Sequence, residues 1–121
     1  MTLRRAYTTL LAIFLLVEGA WGLFTNQVFG VFTTNLLHAV IHILLGLVGF
    51  WAARTGRTRG YLVFVGLLLL AVGLLWFVPG VAELLVRLLN ANRAVAYFNI
   101  AVGAVSFLIG ACSSPRPSMQ I

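Results

Sequence analysis

The sequence predicts an all-α membrane protein: a bundle of four transmembrane helices built from a duplicated helical hairpin, with both termini cytoplasmic. Three observations carry that reading. Four apolar runs, over residues 6–24, 36–53, 61–78 and 94–111, each hold 18 or 19 residues, close to the roughly 20 needed to cross a ~30 Å hydrocarbon core at ~1.5 Å per residue. The basic residues, all eight of them arginine, gather beside alternate ends of those runs. A polar stripe of Asn35, His38, His42, Gly46 and Gly49, at spacings of 3, 4, 4 and 3, runs down one face of the second run.

Only 8% of the residues are charged and 62% are hydrophobic, far from the roughly 25% charged of soluble domains. Four crossings use most of the chain, so residues 1–112 read as a single membrane domain. Residues 113–121, with two prolines, read as a disordered cytoplasmic tail. The first run follows Arg4 and Arg5 as a signal peptide would. It is interrupted by Glu18 and lacks a clear cleavage site, so it reads as a retained helix.

Arg4, Arg5, Arg54, Arg57, Arg59 and Arg116 fall on one side of the expected membrane, and Arg87 and Arg93 on the other. That bias places the six-arginine side in the cytoplasm of a bacterial inner membrane. It also accounts for the net charge of +6 through anionic headgroups of the inner leaflet. The lipid bilayer is thus the first partner. No basic groove with interleaved aromatics supports nucleic acid.

Residues 35–50 align with 92–107 at a constant offset of 57. Asn35 falls on Asn92, Ile43 on Ile100, Gly46 on Gly103, Val48 on Val105 and Phe50 on Phe107, while His42 falls on Asn99 and His38 on Val95. Upstream, Arg5 and Tyr7 fall on Arg59 and Tyr61, and Gly19 on Gly73, at an offset of 54. The fourth run therefore repeats the stripe with weaker chemistry: Asn92, Val95, Asn99, Gly103, Ser106 and Gly110. Two tandem hairpins are expected, about 5–53 and 59–111, in parallel orientation.

The connection 25–34 mixes polar residues with Val28, Phe29, Val31 and Phe32, which suits a segment at headgroup level. Pro79-Gly80 should end the third helix, and residues 81–90 read as a short amphipathic helix on the membrane surface. Glu83 and Arg87, four apart, can pair there for only ~0.3–0.5 kcal/mol. Trp21, Trp51 and Trp76 lie near run ends, as interfacial tryptophans do.

The pattern N-x-x-H-x-x-x-H-x-x-x-G-x-x-G, after an R-x-Y start at Arg5 and Tyr7, resembles bacterial four-helix membrane proteins grouped as domain of unknown function 4383. The resemblance runs from Arg5 to about Gly110 and implies the fold without implying an activity. That family often carries a further Asn…His helix in its second half. Here Val95 and Asn99 stand at those positions.

Glu18 is the lone acid within a crossing, and an intramembrane ionisable group is a functional candidate by default. It lies ~9 Å from the outer end of its helix and His42 ~10 Å from the outer end of the next, so the two fall at one level. One reading makes Glu18, Asn35, His38, His42, Asn92 and Asn99 hydrogen-bonding glue between helices. Gly46, Gly49, Gly103, Ser106 and Gly110 then allow close packing. The other makes Glu18, His38 and His42 a metal set of two histidines and one carboxylate, or makes Glu18 and His42 a proton-exchanging pair. Both axial histidines of a haem would have to come from one helix, which argues against it. Cys112 is the single cysteine, so no internal disulfide is expected. No nucleophile–base set, phosphate loop or cysteine cluster occurs.

The expectation is a non-enzymatic, structural or partner-binding membrane subunit with no resident cofactor. Its expected partner is another membrane protein or a second copy of itself. The alternative is a metal- or proton-binding membrane protein centred on Glu18, His38 and His42.

Overall fold

Long runs of Leu, Val, Ala and Phe with no internal proline propagate as helix, and Thr, Asn and Gly residues punctuate them. The computed structural model describes residues 2–112. Their order is α1 (Leu3–Gly22), β1 (Gln27–Val28), β2 (Phe32–Thr33), α2 (Leu36–Thr55), α3 (Thr58–Leu75), α4 (Val81–Leu89) and α5 (Arg93–Cys112). The expected tail over residues 113–121 lies outside the described residues.

Three helical segments, Leu36–Thr55, Thr58–Leu75 and Arg93–Ala111, are long and apolar enough to cross a membrane. This is a multi-pass membrane protein. α1 matches α2 and α5 in length at 20 residues, but Arg4, Arg5 and Glu18 make it less apolar. Large apolar side chains such as Leu44, Leu47, Trp51, Phe64 and Leu67 face outward, as a lipid-facing surface requires.

The helix starts follow capping chemistry. Thr2 Oγ1 accepts from the backbone N–H of Arg5 at 3.1 Å. Asn35 Oδ1 accepts from His38 N–H at 2.9 Å, and Asn92 Oδ1 from Val95 N–H, also at 2.9 Å. Each cap satisfies an orphan N–H of a first helical turn. α2 stops at Gly56, which takes the left-handed conformation (φ +75°) that glycine adopts without steric cost.

α1 packs along α2 and α3 along α5, and the two pairs meet around Leu11, Leu15, Ala52, Tyr61, Leu62, Val65 and Leu69. The two pairs use equivalent contacts. A Cβ on Gly19 would come within 2.6 Å of Ile43 Cγ1 and 2.8 Å of the Ala39 carbonyl. On Gly73 it would come within 2.7 Å of Ile100 Cγ1 and 2.8 Å of the Ala96 carbonyl. The helices in both pairs approach so closely that only glycine fits. On the stripe faces, Gly46, Gly49, Gly103, Ser106 and Gly110 are buried.

The sequence-stripe residues Asn35 and Asn92 also tie one pair to the other. Asn35 Nδ2 donates to the Leu88 carbonyl at 2.8 Å, and Asn92 Nδ2 donates to the Val31 carbonyl at 2.9 Å. Both donors and both acceptors are related by the same 57-residue offset. At the other end, Tyr7 on α1 reaches Ser106 on α5 and Tyr61 on α3 donates to the Leu45 carbonyl on α2.

One connection gains structure, and one expected contact is corrected. The connection 25–34 is an antiparallel ribbon, pairing Gln27 with Thr33 and Val28 with Phe32, and it turns inward so that Val28 is fully buried. Glu83 and Arg87 form no ion pair. Both are exposed on α4, where solvation leaves little gain from pairing.

Candidate functional site

Glu18 sits one turn before the end of α1, and His38 and His42 occupy the first two turns of α2. Because α1 and α2 run antiparallel, those stretches meet at the ribbon end of the bundle. The Glu18 carboxylate contacts Nδ1 of His42. Asn99 approaches from α5. All four side chains are buried: Glu18 is 6% exposed, His38 5%, His42 7% and Asn99 4%.

Each has a different state of satisfaction. His38 Nδ1 engages the Leu89 carbonyl at 3.1 Å, and its ring packs edge-on against His42 with centroids 4.4 Å apart. His42 is held by Glu18. The Asn99 amide has no hydrogen-bond partner among the described residues, and its polar atoms are not fully enclosed but open onto the adjoining cavities. Val28, Phe32 and Thr34 from the ribbon roof the group.

Two cavities meet at this cluster. One lies beneath the ribbon, reached by Glu18, His38, His42 and Asn99. The second, a cleft with a cavity volume of about 100 Å³, opens between α2 and α3 and is floored by His38, His42 and Asn99. The three polar side chains thus form a wall shared by both.

The structure therefore brings together Glu18, His38, His42 and Asn99. It separates Asn35 and Asn92, which cap helices and clamp the opposite pair's connection. Gly46, Gly49, Gly103, Ser106 and Gly110 lie along the helix contacts away from the cluster. Among the described residues, no three His, Cys, Asp or Glu side chains converge to hold a metal ion. His38 turns Nδ1 to a backbone carbonyl instead of joining the Glu18–His42 contact.

Sequence reasoning passed over Thr33, Thr34 and the carbonyl of Leu89. Thr33 Oγ1 donates to the Asn90 carbonyl at 2.6 Å and Asn90 Nδ2 donates to the Thr34 carbonyl at 2.7 Å. Their one hint is position: two threonines directly before the Asn35 cap, and Asn90 two before the Asn92 cap.

The family model described as Domain of unknown function (DUF4383) matches residues 24–112. The chain belongs to this family. The match takes in His38, His42 and Asn99 but begins after Glu18, so the family's matched span holds three of the four cluster residues. No curated protein and no solved structure matches the chain.

Proposed function

We propose that the protein is a non-enzymatic membrane subunit whose buried polar cluster, in the outer half of the bilayer, serves recognition of a partner or ligand. In this reading α1 is a fourth crossing, the two helical pairs are tandem copies of one hairpin, and both termini lie in the cytoplasm of a bacterial inner membrane. The arginines at the start of α1 and in the α2–α3 turn support that orientation. A single observation carries the functional reading: Asn99 is 96% buried against the cluster with its amide unpaired. A group kept only for packing would have found a partner in the protein, whereas an amide left open to a cavity is free to meet a ligand.

The test is the thermal stability of purified Asn99→Val in mild detergent. A melting temperature equal to or above that of the parent supports recognition. A loss of several degrees would return Asn99 to the role of interhelical glue. Orientation is tested by single cysteines at Gly56 and Gly80 in a Cys112→Ser background, labelled with a membrane-impermeant maleimide on intact cells. Labelling at Gly80 alone is expected.

The Glu18–His42 contact favours a second reading, a proton-binding site open to the outside. Its expected sign is a proton taken up or released when Glu18→Gln is compared with the parent by potentiometric titration in detergent. Identical titration curves would remove it.

A further inference from the structure

The two ends of the shared polar wall face differently built seams. Residues at the α1–α5 seam map onto those of the α2–α3 seam by the offsets that relate the two halves. Phe14, Phe32 and Phe98 stand where Leu68, Leu89 and Ile41 stand opposite. At the first seam the rings interlock: Phe14 and Phe98 have centroids 5.2 Å apart, and Phe32 and Phe98 5.0 Å. Phe29 stacks on Phe14 at 5.7 Å, nearly parallel at 8°. At the second seam the same frame carries aliphatic side chains, and the cleft, with a cavity volume of about 100 Å³, remains. Its mouth is formed by half-buried Ile41, Leu68 and Val72, on the side of the bundle. Its floor carries the unpaired Asn99 amide beside His42.

We propose that this cleft binds a molecule dissolved in the membrane with a carbonyl-bearing ring as head and an aliphatic tail, in chemical class a quinone lipid. The ring takes the space that phenyl rings fill at the opposite seam, and a ring carbonyl accepts from the Asn99 amide N–H. The tail leaves past Ile41 and Val72 into the acyl chains. This gives the Asn99 amide the partner that no protein group supplies, where water inside an aliphatic cleft would be held poorly. The inference rests on the reading of the cluster as a recognition site and names its ligand. The stability of Asn99→Val decides that reading; the map described next decides the ligand.

The probe is a decyl-tailed benzoquinone bearing a diazirine, photolysed with the full chain in lipid nanodiscs, with adducts located by peptide mass spectrometry. Adducts are expected on Ile41, Leu45, Leu68 and Val72, suppressed by excess unlabelled decyl-benzoquinone. Leu68→Phe/Ile41→Phe, which copies the filled seam into the open one, should lower labelling about ten-fold at an unchanged melting temperature. Asn99→Val should lower it about five-fold, the effect of one lost hydrogen bond. Adducts spread over lipid-facing Leu44 and Leu47, or labelling that survives the double phenylalanine variant, would overturn the proposal. Diazirine-bearing palmitic acid provides the rival arm: equal, quinone-competed labelling of the cleft by the fatty acid would assign it to an acyl chain and overturn the ring. Should the phenylalanine variant fail to fold, the parent's adduct map and its competition by the unlabelled quinone decide alone.

Discussion

Tyr7 of α1 hydrogen-bonds Ser106 of α5 at 2.7 Å, a side-chain pair 99 residues apart in the chain that joins one helical pair to the other. Its counterpart Tyr61 donates to the Leu45 carbonyl at 2.7 Å. Far from the ribbon end, these two phenols bridge the pairs. In a Tyr7→Phe, Ser106→Ala double-mutant cycle the coupling should be near ~0.6 kcal/mol, the usual size of an interhelical hydrogen bond in a membrane protein. Equilibrium unfolding in detergent measures it. Coupling indistinguishable from zero would mean that the bridge is replaced by water.

Gly19 and Gly73 should be equally intolerant of a side chain. Alanine at either position collides with an isoleucine side chain and a facing backbone carbonyl, and overpacking of this kind costs about 1–3 kcal/mol. Gly60, at the start of α3, has open space around its Cα. There alanine should raise stability by up to about 1 kcal/mol through helix propensity. Thermal melts of the three variants side by side give the comparison, and a destabilised Gly60→Ala would contradict it.

Glu18 and His42 are both buried, and truncating either strands the other. Glu18→Leu and His42→Leu should each destabilise strongly, on the scale of about 3 kcal/mol for a broken buried pair. The double variant should regain most of that loss, because neither member of the pair is then left without the other. Losses that simply add in the double variant would show that the two side chains act independently.

Asn35 and Asn92 should behave as twins. Each caps a helix and each clamps the opposite connection, so alanine at either removes two contacts of the same kind. A loss of about 1–2 kcal/mol is expected for each. Amide hydrogen exchange should also quicken on the partner's connection: near Leu88 for Asn35→Ala, near Val31 for Asn92→Ala. Faster exchange confined to the mutated helix would refute the clamp.

The helices were legible because apolar length acts locally. α2 begins at Leu36, where the second apolar run begins, and α5 at Arg93, one residue before the fourth. The level shared by Glu18 and His42 was legible too, since helical rise fixes depth along antiparallel neighbours. The ribbon was not. Phe29 adopts a positive φ of +55°, which a bulky residue avoids, and it is held there by rings from elsewhere, Phe14 at 5.7 Å and Trp21 at 4.8 Å. Gly30, with φ +70°, announces a turn, but nothing local says that the turn folds over the bundle. The split of the polar stripe into caps and cluster was hidden for a similar reason: the partners of Asn35, Asn92 and His38 are backbone carbonyls, which carry no sequence signature.

The exchange of clamps between the two helical pairs has a consequence for how the chain is made. When the ribosome has delivered only α1 and α2, the Asn35 amide has no Leu88 carbonyl to meet and the ribbon has no Asn92 to pin it. The first helical pair is therefore unfinished until α4 and α5 arrive, and each half should assist the assembly of the other. A chain severed in the turn at Gly56, with its two fragments expressed together, should reassemble in the membrane, while either fragment alone is left to the quality-control proteases.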